Sequence, residues 1–121
     1  MTAFDVLGDP VRRRIVEVLA RGETAAGEIT SVVVDEFGIT QPAVSRHLRI
    51  LRESGFATNR QSGTRRLYSL DPTGVTEARH WLDTIEAFWT GALDALSTEL
   101  ARQSRASRGS DPESTHDLER T

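Results

Sequence analysis

Four stretches of the chain place apolar residues three and four positions apart, and a fifth stretch breaks that rhythm. The first runs from Pro10 to Gly22, where Val11, Ile15, Val18 and Leu19 make one stripe. Asp9-Pro10 reads as an N-cap followed by the first helical residue, so this stripe belongs to a helix. Phe4, Val6 and Leu7 ahead of it add apolar cover as a short first helix or arm. The second stretch, Thr24 to Glu36, turns Ile29, Val32 and Val33 inward, with Phe37 as a further candidate. Its β-branched run Ser31 to Val34 also suits a strand. A capping Thr24 at one end and the Phe37-Gly38 break at the other decide for helix. Gly38-Ile39-Thr40 makes a tight turn into the third stretch.

That third stretch, 41–54, is closed by Thr40 as N-cap and Gly55 as stop, with Pro42 in the first turn where its missing N–H costs nothing. Val44, Leu48 and Leu51 form its inward stripe. The outward face carries Gln41, Ser45, Arg46 and Arg49. Arginine suits guanine or phosphate, glutamine suits adenine, and serine suits either. Read alone, the helix is equally well an ordinary surface helix with solvated charges. Its neighbours change that balance, because two helices joined by a short glycine turn make a helix-turn-helix.

After Gly55 the period changes. Phe56 to Gln61 and Arg65 to Leu70 read as two short strands, and Gln61-Ser-Gly-Thr64 suits the turn between them. A hairpin at 57–70 directly after a recognition helix is a wing. Arg60, Arg65 and Arg66 cluster near its turn, in reach of phosphate or the minor groove. Tyr68 is expected to pack on the body. The run Arg12-Arg13-Arg14 near a helix start reads as solvated charge rather than as a phosphate site, although an acidic neighbour would also compensate it.

Asp71-Pro72 repeats the cap-and-proline signal and opens the last helix, expected to run to about Arg102. Its apolar positions over 73–100 include Trp81, Leu82, Ile85, Phe88, Trp89, Ala92, Leu93, Leu96 and Leu100. Roughly 28 helical residues span about 42 Å, more than so small a core needs. The excess apolar face reads as a dimer seam, with Phe4, Trp81, Ile85, Phe88, Trp89, Ala92, Leu93 and Leu96 as its candidates. Gly91 inside the stripe suits close backbone approach.

Composition adjusts the picture in three places. The net charge of −3 speaks against nucleic acid until its distribution is read. Between Gln41 and Arg66 six arginines face one glutamate, a local balance of +5, so the rest carries −8. A basic face on an acidic body attracts phosphate locally. The chain has no cysteine, hence no disulfide and no thiolate metal site. There is no apolar run long enough to span a membrane and no signal peptide, so the expected compartment is the cytoplasm. The length suits one domain, residues 1–102, followed by a disordered polar tail, 103–121. No paired carboxylates, nucleophile triad or phosphate-binding glycine loop points to an enzyme.

The order of two helices, glycine turn, Gln41-Pro-Ala-Val-Ser-Arg-His-Leu48, basic hairpin and long last helix resembles the ArsR-type winged helix repressors. Leu7-Gly-Asp-Pro-Val-Arg-Arg-Arg-Ile15 resembles that family's opening, and the likeness covers about residues 3 to 100. It implies a mainly α fold with a small β-hairpin, a winged helix-turn-helix with a long C-terminal helix for dimerisation. It implies a homodimer that binds a pseudo-palindromic double-stranded DNA operator and represses transcription. By the same resemblance Gln41, Pro42, Ser45, Arg46 and His47 belong to the reading helix, and Arg60, Arg65 and Arg66 to the wing.

Two features depart from the family. The span from Glu28 to Gln41 makes the helix before the turn about one turn longer than usual. The sensing chemistry of metal-responsive relatives is also missing, since Val32, Val33 and Val34 stand where those place cysteines. Glu77 and His80 share a face of the last helix, the minimum for a metal pair, but a surface histidine beside carboxylates is far commoner. The expectation is therefore no metal and no cofactor, and any small-molecule inducer is unknown. The alternative is a winged helix protein-interaction module that binds a partner through the aromatic helix.

Overall fold

Side chains placed just ahead of the helices set where they begin. Thr2 and Asp5 form a reciprocal capping box that starts α1 (Ala3–Leu7). Asp9 accepts from the N–H groups of Val11 and Arg12 at 2.8 and 3.2 Å and starts α2 (Pro10–Ala20). Thr40 accepts from Ala43 N–H at 3.3 Å and starts α4 (Gln41–Glu53). The computed structural model describes residues 1–110 and adds β1 (Thr24–Ala25), α3 (Ala26–Phe37), β2 (Ala57–Ser62), β3 (Arg65–Leu70) and α5 (Pro72–Ser110). The architecture is the winged helix-turn-helix that the apolar pattern predicts.

Residues 1–81 make one unit, and a second begins at Leu82. The core lies in the first. Val6 of α1, Ile15 of α2, Ile29 and Val33 of α3, and Val44 and Leu51 of α4 are fully buried around Phe56. Each such side chain contributes about 1.5–3 kcal/mol through burial, so the inward stripes hold the helices together. Val18 and Val32 are only half-buried, and Phe37 is 38% exposed. The inward face of α3 therefore narrows to Ile29 and Val33.

Helix α4 ends in a Schellman arrangement. Gly55 adopts φ 80°, Phe56 N–H donates to Leu51 C=O at 2.8 Å and Gly55 N–H to Arg52 C=O at 3.4 Å. Phe56 is thereby swung into the core, where its ring occupies the space beside Gly74 of α5. A Cβ at Gly74 would lie 2.6 Å from that ring. Asp71 N–H donates to Phe56 C=O and Gly74 N–H to Gly55 C=O, at 3.0 and 2.7 Å. The first turn of α5 is thus stitched to the end of α4.

The hairpin β2–β3 turns at Gly63, whose φ of 62° at the first central position fits a type II′ turn. Beyond the expected hairpin there is a third strand. Thr24 and Ala25 pair antiparallel with Tyr68 and Leu67, giving the order β1-β3-β2. This corrects the reading of Thr24 as a helix cap: α3 starts at Ala26, and Ala25, at its N-cap, makes no side-chain cap bond. Sheet hydrogen bonds supplied by a strand more than forty residues away override the local capping signal.

At the other end α5 continues to Ser110, past the expected stop near Arg102. Residues 103–110, expected in the polar tail, are helical, and 111–121 lie outside the described residues. No described helix is long and apolar enough to cross a membrane.

Candidate nucleic-acid interface

The two sides of α4 differ sharply. Val44 and Leu51 are fully buried and Leu48 is nearly so, while Gln41, Pro42, Ser45, Arg46 and Arg49 are exposed. Three residues, Gly38 to Thr40, separate α3 from α4, and Gly38 provides the left-handed corner at φ 67°. The turn presents the first two turns of α4, with their amide, hydroxyl and guanidinium groups, to solvent. That is the geometry by which a second helix reaches base edges.

His47 stands apart from its neighbours. It is half-buried, and its Nδ1 lies 3.2 Å from Arg12 Nη1. Burial lowers its pKa from the ordinary histidine value; the Asp9 carboxylate works against that shift, and Arg12 and Arg46 reinforce it. The imidazole thus braces the inner edge of α4.

The run Arg12-Arg13-Arg14, expected as solvated charge, is instead built into the scaffold. Arg12 donates to the carbonyls of Val6 at 2.8 Å and Asp5 at 3.1 Å, and Arg13 donates to Leu7 C=O at 2.7 Å. Arg14 meets Glu36 of α3 through Nε at 2.8 Å. That hydrogen bond raises the Arg14 pKa and lowers that of Glu36. Three neighbouring residues brace α1 and α3, which periodicity alone does not reveal.

The register of the wing divides its three arginines. Directly opposed residues share a face, and faces alternate along a strand. Arg60 opposes Leu67 and Arg65 opposes Ser62, so these two share one face; Arg66 opposes Gln61 on the other. Arg60 is held in a two-point contact by Glu23, at 2.9 and 2.8 Å, and Ser69 Oγ donates to the same carboxylate at 3.2 Å. The Arg60 hydrogen bond holds the Glu23 carboxyl below the usual carboxylate range and raises the Arg60 pKa. Arg65 meets Glu28 at 2.9 Å. Arg66 donates to the neutral Asn59 amide oxygen at 3.3 Å.

Glu23 and Glu28 are residues the linear reading missed. Each lies 37 positions from its arginine, so no local spacing links them. The pairs appear only once β1 and the start of α3 stand beside the wing.

The seam candidates are exposed. Phe4 and Trp81 meet edge to face with ring centroids 5.1 Å apart, yet remain 42% and 53% exposed. In the second unit Ile85, Phe88, Trp89, Ala92, Leu93 and Leu96 are all exposed on α5. Glu77 and His80 are exposed too, and among the described residues no three His, Cys, Asp or Glu side chains form a group that could hold a metal.

Comparison with known proteins decides the family. The profile of the arsR family of bacterial regulatory proteins matches residues 9–59. An HTH-type transcriptional regulator of Mycobacterium tuberculosis is 44% identical over 91 residues, covering 75% of this chain and 78% of the relative. The chain belongs to the ArsR family. The transcriptional repressor SdpR of Bacillus subtilis is 32% identical over 79 residues, 65% of this chain and 83% of its own length. The crystal structure of a possible transcriptional regulator for arsenical resistance superposes with a TM-score of 0.62 at 34% identity, covering 82% of this chain and 96% of that one. ArsR-family proteins are DNA-binding transcriptional regulators, not enzymes, and the matched segment runs from the cap of α2 into β2. In ArsR-family terms, α3 and α4 are the helix-turn-helix and β2–β3 the wing.

Proposed function

We propose that this chain is a homodimeric transcriptional repressor that reads a pseudo-palindromic operator in the cytoplasm. The observation that carries the reading is α4: its apolar stripe is buried, while Gln41, Ser45, Arg46 and Arg49 all face solvent. Arg46, Gln41 and Ser45 supply base choice, with Pro42 fixing the first turn. Arg49, Arg66 and, once released from their carboxylates, Arg60 and Arg65 supply attraction to phosphate. His47 orients the helix.

Two copies meet along the exposed apolar stripe of α5, with Phe4 and Trp81 extending the seam. A soluble chain would not leave Phe88 and Trp89, 78% and 62% exposed, bare to water. Two reading helices then enter successive major grooves about 34–36 Å apart. This reading includes no metal: the chain has no cysteine for a thiolate site, and among the described residues no three His, Cys, Asp or Glu side chains form a group that could hold one.

The test is a fluorescence-anisotropy titration against DNA from the chain's own promoter region, at two salt concentrations, with a scrambled duplex as control. Tight, salt-sensitive binding that favours the promoter is the expected result. Weak binding indifferent to sequence would replace this reading with that of a module binding a protein partner through α5.

A further inference from the structure

Two of the three wing arginines are already engaged in the free protein. The Arg60 fork grips Glu23 through Nε and Nη2, at 2.9 and 2.8 Å, and Arg65 grips Glu28 at 2.9 Å. A guanidinium binds carboxylate and phosphate with the same planar two-point geometry, so the two anions compete for one surface. We propose that Glu23 and Glu28 are selectivity-setting residues of the DNA interface, occupying Arg60 and Arg65 as phosphate stand-ins and yielding them only to a well-placed backbone.

This inference rests on the DNA-binding reading above. Both pairs lie on one face of the wing, the face of Arg60 and Arg65, whereas Arg66 on the other face donates to the neutral Asn59 amide and, among the described residues, to no carboxylate. The carboxylates are therefore matched to two arginines and leave the third available. Ser69 Oγ keeps Glu23 in place from the strand itself. All four side chains are at least one-third exposed, so water can take over a displaced carboxylate and the exchange is not prohibitive.

The consequence is electrostatic. An unpaired arginine that meets a phosphate releases a condensed counterion and adds about 0.9 to the salt slope. A paired one returns a bare carboxylate beside the phosphate backbone, which offsets that release. Randomly placed phosphates then gain little, and non-specific binding is suppressed more than specific binding.

The test uses the full chain and labelled duplexes, promoter and scrambled, at several salt concentrations between about 50 and 200 mM. The variants are Glu23→Gln, Glu28→Gln, Arg60→Ala and the double change Glu23→Gln with Arg60→Ala. Each single Gln variant is expected to bind the scrambled duplex about 3- to 10-fold more tightly, with a salt slope steeper by about one and a reduced preference for the promoter. In the Arg60→Ala background Glu23→Gln is expected to yield only a small part of that gain. The proposal is overturned if the wild type prefers its promoter and both Gln variants keep its slope and preference. It is equally overturned if the gain from Glu23→Gln persists undiminished without Arg60, because that is a general charge effect. A wild type that binds neither duplex overturns the DNA-binding reading itself, and this inference with it.

Discussion

Arg12 Nη1 lies 3.2 Å from His47 Nδ1, and the same guanidinium holds the carbonyls of Val6 and Asp5 at 2.8 and 3.1 Å. A guanidinium only donates, so Nδ1 accepts and the imidazole carries its proton on Nε2. One side chain of α2, 11% exposed, thereby joins the end of α1 to α4.

Arg12→Ala is expected to leave those acceptors without their donor and to cost about 1.5–3 kcal/mol, the range for hydrogen bonds to a charged group. Arg12→Lys recovers little, because a single ammonium on a flexible stem does not span three acceptors. Urea denaturation of the two variants checks this; a lysine variant as stable as the wild type would contradict it.

The same contact gives a pH dependence. The folded state holds His47 below its ordinary value of 6.5, chiefly through burial, while the unfolded chain protonates near that value. Between the two the unfolded state binds more protons, so stability is fully present above 6.5 and declines as pH falls through the folded value. The wild-type melting temperature should drop on going from pH 7 to pH 5.5 by more than that of His47→Gln. Parallel curves for the two proteins would refute it.

Gly74→Ala pits two effects against each other. Alanine gains about 0.5–1 kcal/mol over glycine in a helix. The new Cβ, however, meets the fully buried Phe56 ring at 2.6 Å, and overpacking costs about 1–3 kcal/mol. A net loss of about 1–2 kcal/mol is expected, visible as a lower melting temperature. A further change, Phe56→Leu, should restore part of it.

On the DNA side, Arg46 and Arg66 should separate two roles. Arg46→Ala is expected to relax sequence preference at one operator position, at about 1–3 kcal/mol. Arg66→Ala, whose side chain has no carboxylate partner among the described residues, should weaken all duplexes alike and flatten the salt slope by about one. Titrations on operator variants at two salt concentrations read both effects, and a loss of discrimination from both variants would contradict the division.

For the seam, Trp89→Asp combined with Leu93→Asp should yield a monomer with much weaker operator binding. Light scattering coupled to gel filtration measures the mass. A double variant that stays dimeric would put the interface elsewhere.

The linear sequence determined that the helices form, the inward stripe of α4 and most of those of α2 and α3, the glycine turn, the hairpin and the exposed face of α4. Each rests on a rule that acts within a few residues: a cap, a proline, a period of 3.6 or 2. Val44, Leu48 and Leu51 declare their face without help from any other segment, and so do Gln41, Ser45 and Arg46. Tertiary structure alone decided the rest. Thr24 left its capping role for a strand because β3 offered it backbone partners. The arginines of α2 became braces because α1 and Glu36 came within reach. Arg60 and Arg65 were separated from Arg66 by strand register, and Glu23 and Glu28 reached them across 37 positions. Charge has no period, so an arginine's role depends on which oxygen the fold brings within about 3 Å.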